Sequence, residues 1–499
     1  MTESMSRQAR LQRRPGRSGP GRWAVVAAVV AVVAVVAVVD HAVAVPPPVP
    51  PPSAADGVPV APVGSFSSSA LCAGGAAGPD GLAGTTIFLT NSSSVAVHAV
   101  MTSQVAPGTG SGAASSGTPG APTHRDLVVP ARGQAAVNPG AGLPAGDLAT
   151  SFAFDGGGVA ANQVVTGAGG WSTSPCATAT SASWYFAGGS TATGNALTLD
   201  LFNPTSTSSV VDVSFLTPTG VLVPSTYQGI DVPPGQLVAE NVGDFVQGLG
   251  EIGTVVAAQS GAVVAAELQQ WSSGASGGIG LDLGAPVPST TWQFAQTTDT
   301  AAGTTTFHLA NPGTAPAVAT VAIGLPMARV VPVRVTVAPE SVATFVASAS
   351  RRIPAGAPYA VHITATAPVV VSRSVQAPQG AGPPVWGALA GTTTAAVHWL
   401  VPAPGVPGAP GTTGATVESL GVSDPEGTAA RVVVTVAGTG APVATFTVAP
   451  GSVAVLGAGT VGGLRALDVR SSRPVVVGED AGPSGAAGVV SSAGLPFAP

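Results

Sequence analysis

Trp184-Tyr185-Phe186-Ala187-Gly188-Gly189-Ser190-Thr191, followed by Leu197-Thr198-Leu199-Asp200-Leu201 and closed by Asn203-Pro204, is the stretch that decides how this 499-residue chain folds. Its alternation sets Leu197, Leu199 and Leu201 on one face and Thr198 and Asp200 on the other, the period of a half-buried β-strand. Asn203-Pro204 ends that strand and turns the chain. A second alternating run, Val211-Asp212-Val213-Ser214-Phe215, supplies a pairing partner. Val232-Pro233-Pro234-Gly235 then leads into Leu237-Val238, and Thr254-Val255-Val256-Ala257 and Val263-Val264-Ala265-Ala266 complete the unit.

The unit recurs. Trp184, Trp292 and Trp399 open successive copies, spaced by 108 and 107 residues. The third copy reads Phe307-His308-Leu309, Asn311-Pro312, Val321-Ala322-Ile323, Val337-Ala338-Pro339-Glu340 and Pro368-Val369-Val370-Val371. The fourth has Ser423-Asp424-Pro425, Val432-Val433-Val434, Val448-Ala449-Pro450-Gly451 and Pro474-Val475-Val476-Val477. The first copy is the most diverged: Ile87-Phe88-Leu89, Asn91, Val95-Ala96-Val97 and Val129-Pro130-Ala131-Arg132-Gly133, with a Gly/Ser/Pro-rich insertion near 107–122.

A period above 100 residues is domain-sized rather than that of a solenoid of 20–50-residue units. Short strands, turns every 8–15 residues and no amphipathic helix predict an all-β chain of four tandem immunoglobulin-like β-sandwich modules, arranged as beads on a string. The divisions are 1–22 basic flank, 23–39 transmembrane or signal helix, 40–70 Pro-rich linker, and modules at 71–180, 181–285, 286–392 and 393–499. A propeller-like closure of the four copies is the alternative; it is disfavoured because a blade needs only about 45 residues.

Composition points the same way. Gly (67) and Pro (47) punctuate a Val/Ala/Thr-rich sequence, and 45% hydrophobic residues with a mean hydropathy of +0.44 argue against disorder. All 17 basic residues are arginine, so Lys–Asn isopeptide bonds are chemically impossible. Residues 46–499 carry 11 Arg against 21 acidic groups, a poor surface for nucleic acid, which needs clustered cations to meet phosphate.

The apolar run Trp23–Val39 follows six arginines, Arg7 to Arg22, so the positive-inside rule predicts a cytoplasmic N-terminus and an exported body held by a single pass through the cell membrane. Ala42-Val43-Ala44 has the small-x-small pattern of a cleavage site, which would instead release a secreted protein cut near Ala44. Pro46 to Pro52 forms a stiff polyproline spacer. Cys72 and Cys176, the two cysteines, lie in the exported part and are expected to form a disulfide around the first module. On the beads-on-a-string picture, replacing Cys72 destabilises that module alone.

Trp184-Tyr185-Phe186-Ala187-Gly188-Gly189-Ser190-Thr191, with Leu-x-Leu-x-Asn-Pro and Val-x-Pro-Gly behind it, resembles the repeats of bacterial secreted and envelope-anchored proteins of uncharacterised function, actinobacterial ones among them. The resemblance spans roughly residues 70–485, is full only in the second copy, and finds Cys72 where the Trp stands elsewhere. It implies location and architecture and brings no catalytic assignment.

Chemistry is sparse in the sequence. None of the six histidines stands at metal-ligand spacing from another His or a Cys, so no metal or other cofactor is expected. His308 reads as a solvated strand residue, and Asp424-Pro425-Glu426 and Glu479-Asp480 as solvated acidic turns. Arg351, Arg352 and Arg373 could form a small basic patch. No Gly-x-Ser-x-Gly elbow stands in a strand-turn-helix context, so no catalytic residue is assigned. The tryptophans flank the junctions in pairs, Trp171 with Trp184, Trp271 with Trp292 and Trp386 with Trp399. They either plug the ends of the modules or form aromatic platforms for sugar rings. The function expected is a non-enzymatic envelope scaffold or accessory partnered by a cell-wall glycan or envelope protein and by the membrane through residues 23–39. A carbohydrate-binding array and a secreted hydrolase are the alternatives.

Overall fold

The computed structural model describes residues 59–497 apart from 79–81, 107–120, 168–169, 274–275, 299–302, 380–381, 403–414, 426, 462–465 and 484–489. The chain divides into two units, Met1–Ser53 and Ala54–Pro499. The first, with the apolar run 23–39 and the Pro-rich spacer, lies outside the described residues, as does most of the insertion near 107–122.

The described chain is nearly all β. In the first repeat β1 (Ser68–Ala77), β2 (Leu82–Asn91), β3 (Val97–Val105), β4 (Thr123–Val129), β5 (Gln134–Val137), β6 (Gly146–Phe154), β7 (Val159–Gly167) and β8 (Gly170–Pro175) form two sheets, β1-β6-β3-β4 and β5-β2-β7-β8. Ala70, Met101 and Phe152 from one sheet and Ile87, Leu89 and Ala161 from the other share one core.

The second repeat is built from β9 (Ser183–Gly189), β10 (Ala196–Phe202), β11 (Ser209–Thr217), β12 (Gly220–Leu222), β13 (Ile230–Val232), β14 (Leu237–Asn241), β15 (Ile252–Ser260), β16 (Val264–Ser273) and β17 (Ser276–Leu283). They pair in the same order, β9-β15-β11 with β12 and β13 beside β11, and β14-β10-β16-β17. Leu197, Leu199 and Leu201 are fully buried, as their alternation requires.

The third comprises β18 (Ser289–Thr298), β19 (Thr304–Asn311), β20 (Ala317–Gly324), β21 (Val333–Val337), β22 (Ser341–Val346), β23 (Pro358–Gln379) and β24 (Gly382–Ala390). Here the single long β23 serves both sheets: its first half pairs with β18 and β20, its second with β19 and β24. The fourth comprises β25 (Ala396–Val401), β26 (Ala415–Ser423), β27 (Ala430–Val436), β28 (Pro442–Val448), β29 (Val453–Gly457), β30 (Leu467–Pro483), β31 (Val490–Ala493) and β32 (Leu495–Pro496), with β30 again crossing between sheets.

The Asn of each turn is a structural device. Asn91, Asn203 and Asn311 are all 0% exposed. Asn203 Nδ2 donates to the carbonyls of Thr207 and Val232 at 2.8 Å, and Oδ1 accepts from the Thr205 N–H at 3.0 Å. Asn91 and Asn311 repeat the arrangement. Each thereby satisfies turn carbonyls that burial would leave unpaired.

The repeats are not separate beads, because residues Ala54–Pro499 form one compact unit. The first strand of each repeat packs on the next: β1 on β10 and β16, β9 on β19 and β23, β18 on β26 and β30. The fourth returns to the first. Leu400 of β25 and Leu495 of β32 share a buried cluster with Ala160 of β7 and Val60. The Val60 N–H donates to the Pro496 carbonyl at 2.7 Å, and Val60 and Phe497 form a parallel bridge. On the other side of the cycle β8 packs on β17, β17 on β24, β24 on β31 and β31 on β8. The four copies therefore close on themselves, each retaining two sheets. Charged residues at 8% are too few to coat four isolated bodies, and closure takes the outer faces of the sheets out of water.

The single-pass placement in the cell membrane is corrected: no helix among the described residues is long and apolar enough to cross a membrane.

Candidate functional site

The tryptophans divide into two sets. Trp184, Trp292 and Trp399 are 3%, 2% and 0% exposed, and their indole N–H groups donate to the carbonyls of Val263, Val369 and Val475 at 2.8, 2.7 and 3.0 Å. Each fills its own repeat and ties the first strand to the point where the chain passes from one sheet to the other, so none offers a ring face to a sugar. In the first repeat the bridge Leu71–Ala177 matches Tyr185–Ala285, which puts Ala70 at the Trp position and Cys72 at that of Phe186. The register thus moves Cys72 two residues from where the sequence alignment placed it. Cys72 is bonded to Cys176, as expected. Trp171 is buried on β8 and Trp271 is half-buried against Gly280 beside Ala388, while the Trp386 side chain lies outside the described residues.

Polar chemistry concentrates where one repeat meets the next, at positions equivalent by strand register. On the first strands these are Gly74, Gly188 and Gln296; facing them on the next repeat are Asp200, His308 and Gly421. At two junctions a glycine admits a side chain from the following repeat, and at the third Gln296 projects onto a glycine. There Gln296 Nε2 donates to the Ser419 hydroxyl and to Asp480 Oδ2.

Between the second and third repeats, His308 is 8% exposed, which corrects its reading as a solvated residue: the first strand of the second repeat covers the face it occupies. Its Nδ1 lies 2.7 Å from Glu251 Oε2 and its Nε2 2.7 Å from Ser374 Oγ. The equivalent pair between the first and second repeats is Asp147 and Asp200. Burial, with the Asp147 charge added, holds the Asp200 carboxyl well above the usual carboxylate range.

The acidic turns expected in solvent are also corrected. Asp424 and Glu479 are 1% and 3% exposed: Asp424 closes the turn after β26, exchanging backbone hydrogen bonds with Ser452 and Gly451 of its own repeat, and Glu479 stands on β30, against which β18 of the preceding repeat packs; Glu426 lies outside the described residues. Arg373, 1% exposed, belongs to no surface patch: its guanidinium donates to Thr297 Oγ1, sits 6.0 Å from the Phe294 ring centroid and faces Asp480 at 3.9 Å. Arg352 stays on an exposed loop, donating to the Val331 carbonyl. Inside the second repeat burial pushes the Glu267 carboxyl up to about 8 and that of Asp282 to about 7. Among the described residues no group of three or more His, Cys, Asp and Glu could hold a metal ion.

Sequence reasoning missed Glu251 and Ser374, which stand 57 and 66 positions from His308. No local spacing signals them; the only route to them was strand register across a junction between repeats.

No curated protein matches the chain. Among solved structures, Thermotoga maritima 1070 is 16% identical, covering 21% of this chain and 93% of that one with a TM-score of 0.19. A tetra-tandem repeat in the extending region of a large adhesion protein is 13% identical, covering 80% of this chain and 92% of that one with a TM-score of 0.11. At such scores neither likeness carries an argument. Residues 156–402, from the end of the first repeat to β25, match the model of a family of unknown function, DUF5719.

Proposed function

We propose that this chain is a secreted scaffold or accessory of the cell envelope, four immunoglobulin-like sandwiches locked in a closed cycle that present their turns to a cell-wall glycan or an envelope protein. The observation that carries the reading is the closure itself. A cycle in which each first strand is buried against the following repeat holds its loops in fixed relation, as a binding platform needs. The Cys72–Cys176 disulfide supports an oxidising, exported location. Export in this reading rests on secretion alone.

A glycan bound by this protein is met away from Trp184, Trp292 and Trp399, which are spent in the repeat cores. The test is co-sedimentation of the secreted chain with isolated cell-wall glycan, beside a Trp271→Ala variant and capture of envelope proteins by cross-linking. Saturable retention that Trp271→Ala leaves intact supports the reading. Recovery of the chain from the cytosol with both cysteines reduced would overturn it.

A further inference from the structure

We propose that Ser374 is a base-activated nucleophile, open to acylation at Oγ by a small activated ester, with His308 as its base and Glu251 as the residue that positions that base. The proposal goes beyond the scaffold reading and rests on separate observations.

The first is connectivity. Ser374 Oγ lies 2.7 Å from one imidazole nitrogen, and the other nitrogen lies 2.7 Å from a carboxylate oxygen. That is the order hydroxyl, imidazole, carboxylate in which a base takes the hydroxyl proton while a third group fixes its tautomer. The His308 side chain is 11% exposed and bonded at both nitrogens, and so held in place, whereas Ser374 at its Nε2 end is only half-buried, which leaves the nucleophile reachable.

The second is that the fold does not need the relay. Strand register places Val164, Leu268 and Asp480 at the Ser374 position of the other repeats. It places Phe88, Asp200 and Gly421 at the His308 position. Neighbouring junctions thus form with quite different side chains at the same sites, and the three-residue relay is a property of this junction alone among them.

The ladder decides the substrate class. Ser374 lies mid-strand, paired with Thr306 of β19 and Ala388 of β24, so its backbone is committed to the sheet and builds no oxyanion hole for the hydroxyl. One such donor is worth about 10²–10³ in rate. Without it, amides are out of reach and an ester with a good leaving group, such as an aryl ester, is the class that reacts. Ser374 Oγ bonds to the carbonyl carbon as its proton passes to His308 Nε2. Glu251 accepts from Nδ1–H and balances the imidazolium. The bond from the carbonyl carbon to the leaving oxygen then breaks, and that oxygen departs with the proton from Nε2. An O-acyl Ser374 and a free phenol remain, with no change of oxidation state.

The experiment exposes the full chain to p-nitrophenyl acetate and, separately, to a fluorophosphonate, follows p-nitrophenolate release, and locates the adduct by peptide mass spectrometry. The expected result is one adduct per chain at Ser374, absent in Ser374→Ala. Labelling should be slower by about tenfold or more in His308→Gln and in Glu251→Gln, since general-base assistance contributes about 10²–10⁴. Glu251→Gln keeps the shape of a half-exposed side chain and serves if His308→Gln fails to fold. No adduct at Ser374, an adduct spread over other serines, or unchanged labelling in Glu251→Gln would overturn the proposal.

Discussion

Gly188→Ala should loosen the junction between the second and third repeats far more than its single methyl group implies. A Cβ at Gly188 would sit 2.8 Å from His308 Cγ, 2.9 Å from Cδ2 and 3.0 Å from Ser372 Oγ, so the ring must retreat by about 0.6 Å to reach ordinary contact. Retreat is opposed at both ends, because the ring is held at 2.7 Å by Glu251 and by Ser374. Overpacking of this kind costs about 1–3 kcal/mol, and one strained hydrogen bond to a charged partner adds up to about 1 kcal/mol. The backbone at Gly188 needs no positive φ, so contact alone is at work. Urea unfolding of the purified protein measures the loss, with Gly427→Ala, where nothing lies within 4 Å, as the neutral control. The pair Gly188→Gln with His308→Gly recreates the Gln296–Gly421 arrangement of the next junction. It should be less destabilised than the sum of its single variants by about 1–2 kcal/mol. Stability of Gly188→Ala within about 0.5 kcal/mol of the parent, or strict additivity of the pair, would refute the knob-and-hole account.

Asn203→Ala removes a fully buried side chain that serves two carbonyls and an N–H, and should cost about 2–4 kcal/mol by denaturation. Breaking the Cys72–Cys176 bond, which spans 104 positions, should cost about 4–5 kcal/mol in the chain-entropy account; calorimetry should show the whole Ala54–Pro499 body losing stability, not the first repeat alone. Glu267 and Asp282, raised to about 8 and 7, hold protons in the folded state that the unfolded chain releases above its ordinary carboxylate range. Their contribution is therefore fully present below the unfolded carboxylate range, at about pH 4, and lost as pH rises from there through about 8, and Glu267→Gln should flatten that decline in a pH series of unfolding midpoints.

Much of the fold was legible in the sequence. The alternation Leu197-Thr198-Leu199-Asp200-Leu201 gives the buried face of β10 directly, and the Trp spacing marks equivalent first strands, because a strand's faces and a repeat's period are local properties. Cys72 and Cys176 could be paired on compartment and position. Closure of the repeats was not legible, since it depends on faces that read as solvent-facing until a second repeat is laid on them. Asp200 and His308 look like outward strand residues because they are outward from their own repeat, and only Gly74 and Gly188, distant in sequence, show that another strand lies over them. The same reason hid Glu251 and Ser374 and misread Glu479 as a solvated acid, whereas Asp424 is buried in a turn of its own repeat, bonded to Ser452 and Gly451. The tryptophans were ambiguous because burial in a core and exposure at an edge need the same residue; the carbonyls of Val263, Val369 and Val475 settle the question for three of them.

Small-angle X-ray scattering on residues 54–499 tests the closed cycle most directly. A compact body of that length should have a radius of gyration of about 22–25 Å. Four 105-residue beads in a row, about 35 Å apart, would give about 40 Å. A value near the first, unchanged by dilution, is what closure through Val60, Leu400 and Phe497 predicts; a value near the second would contradict it.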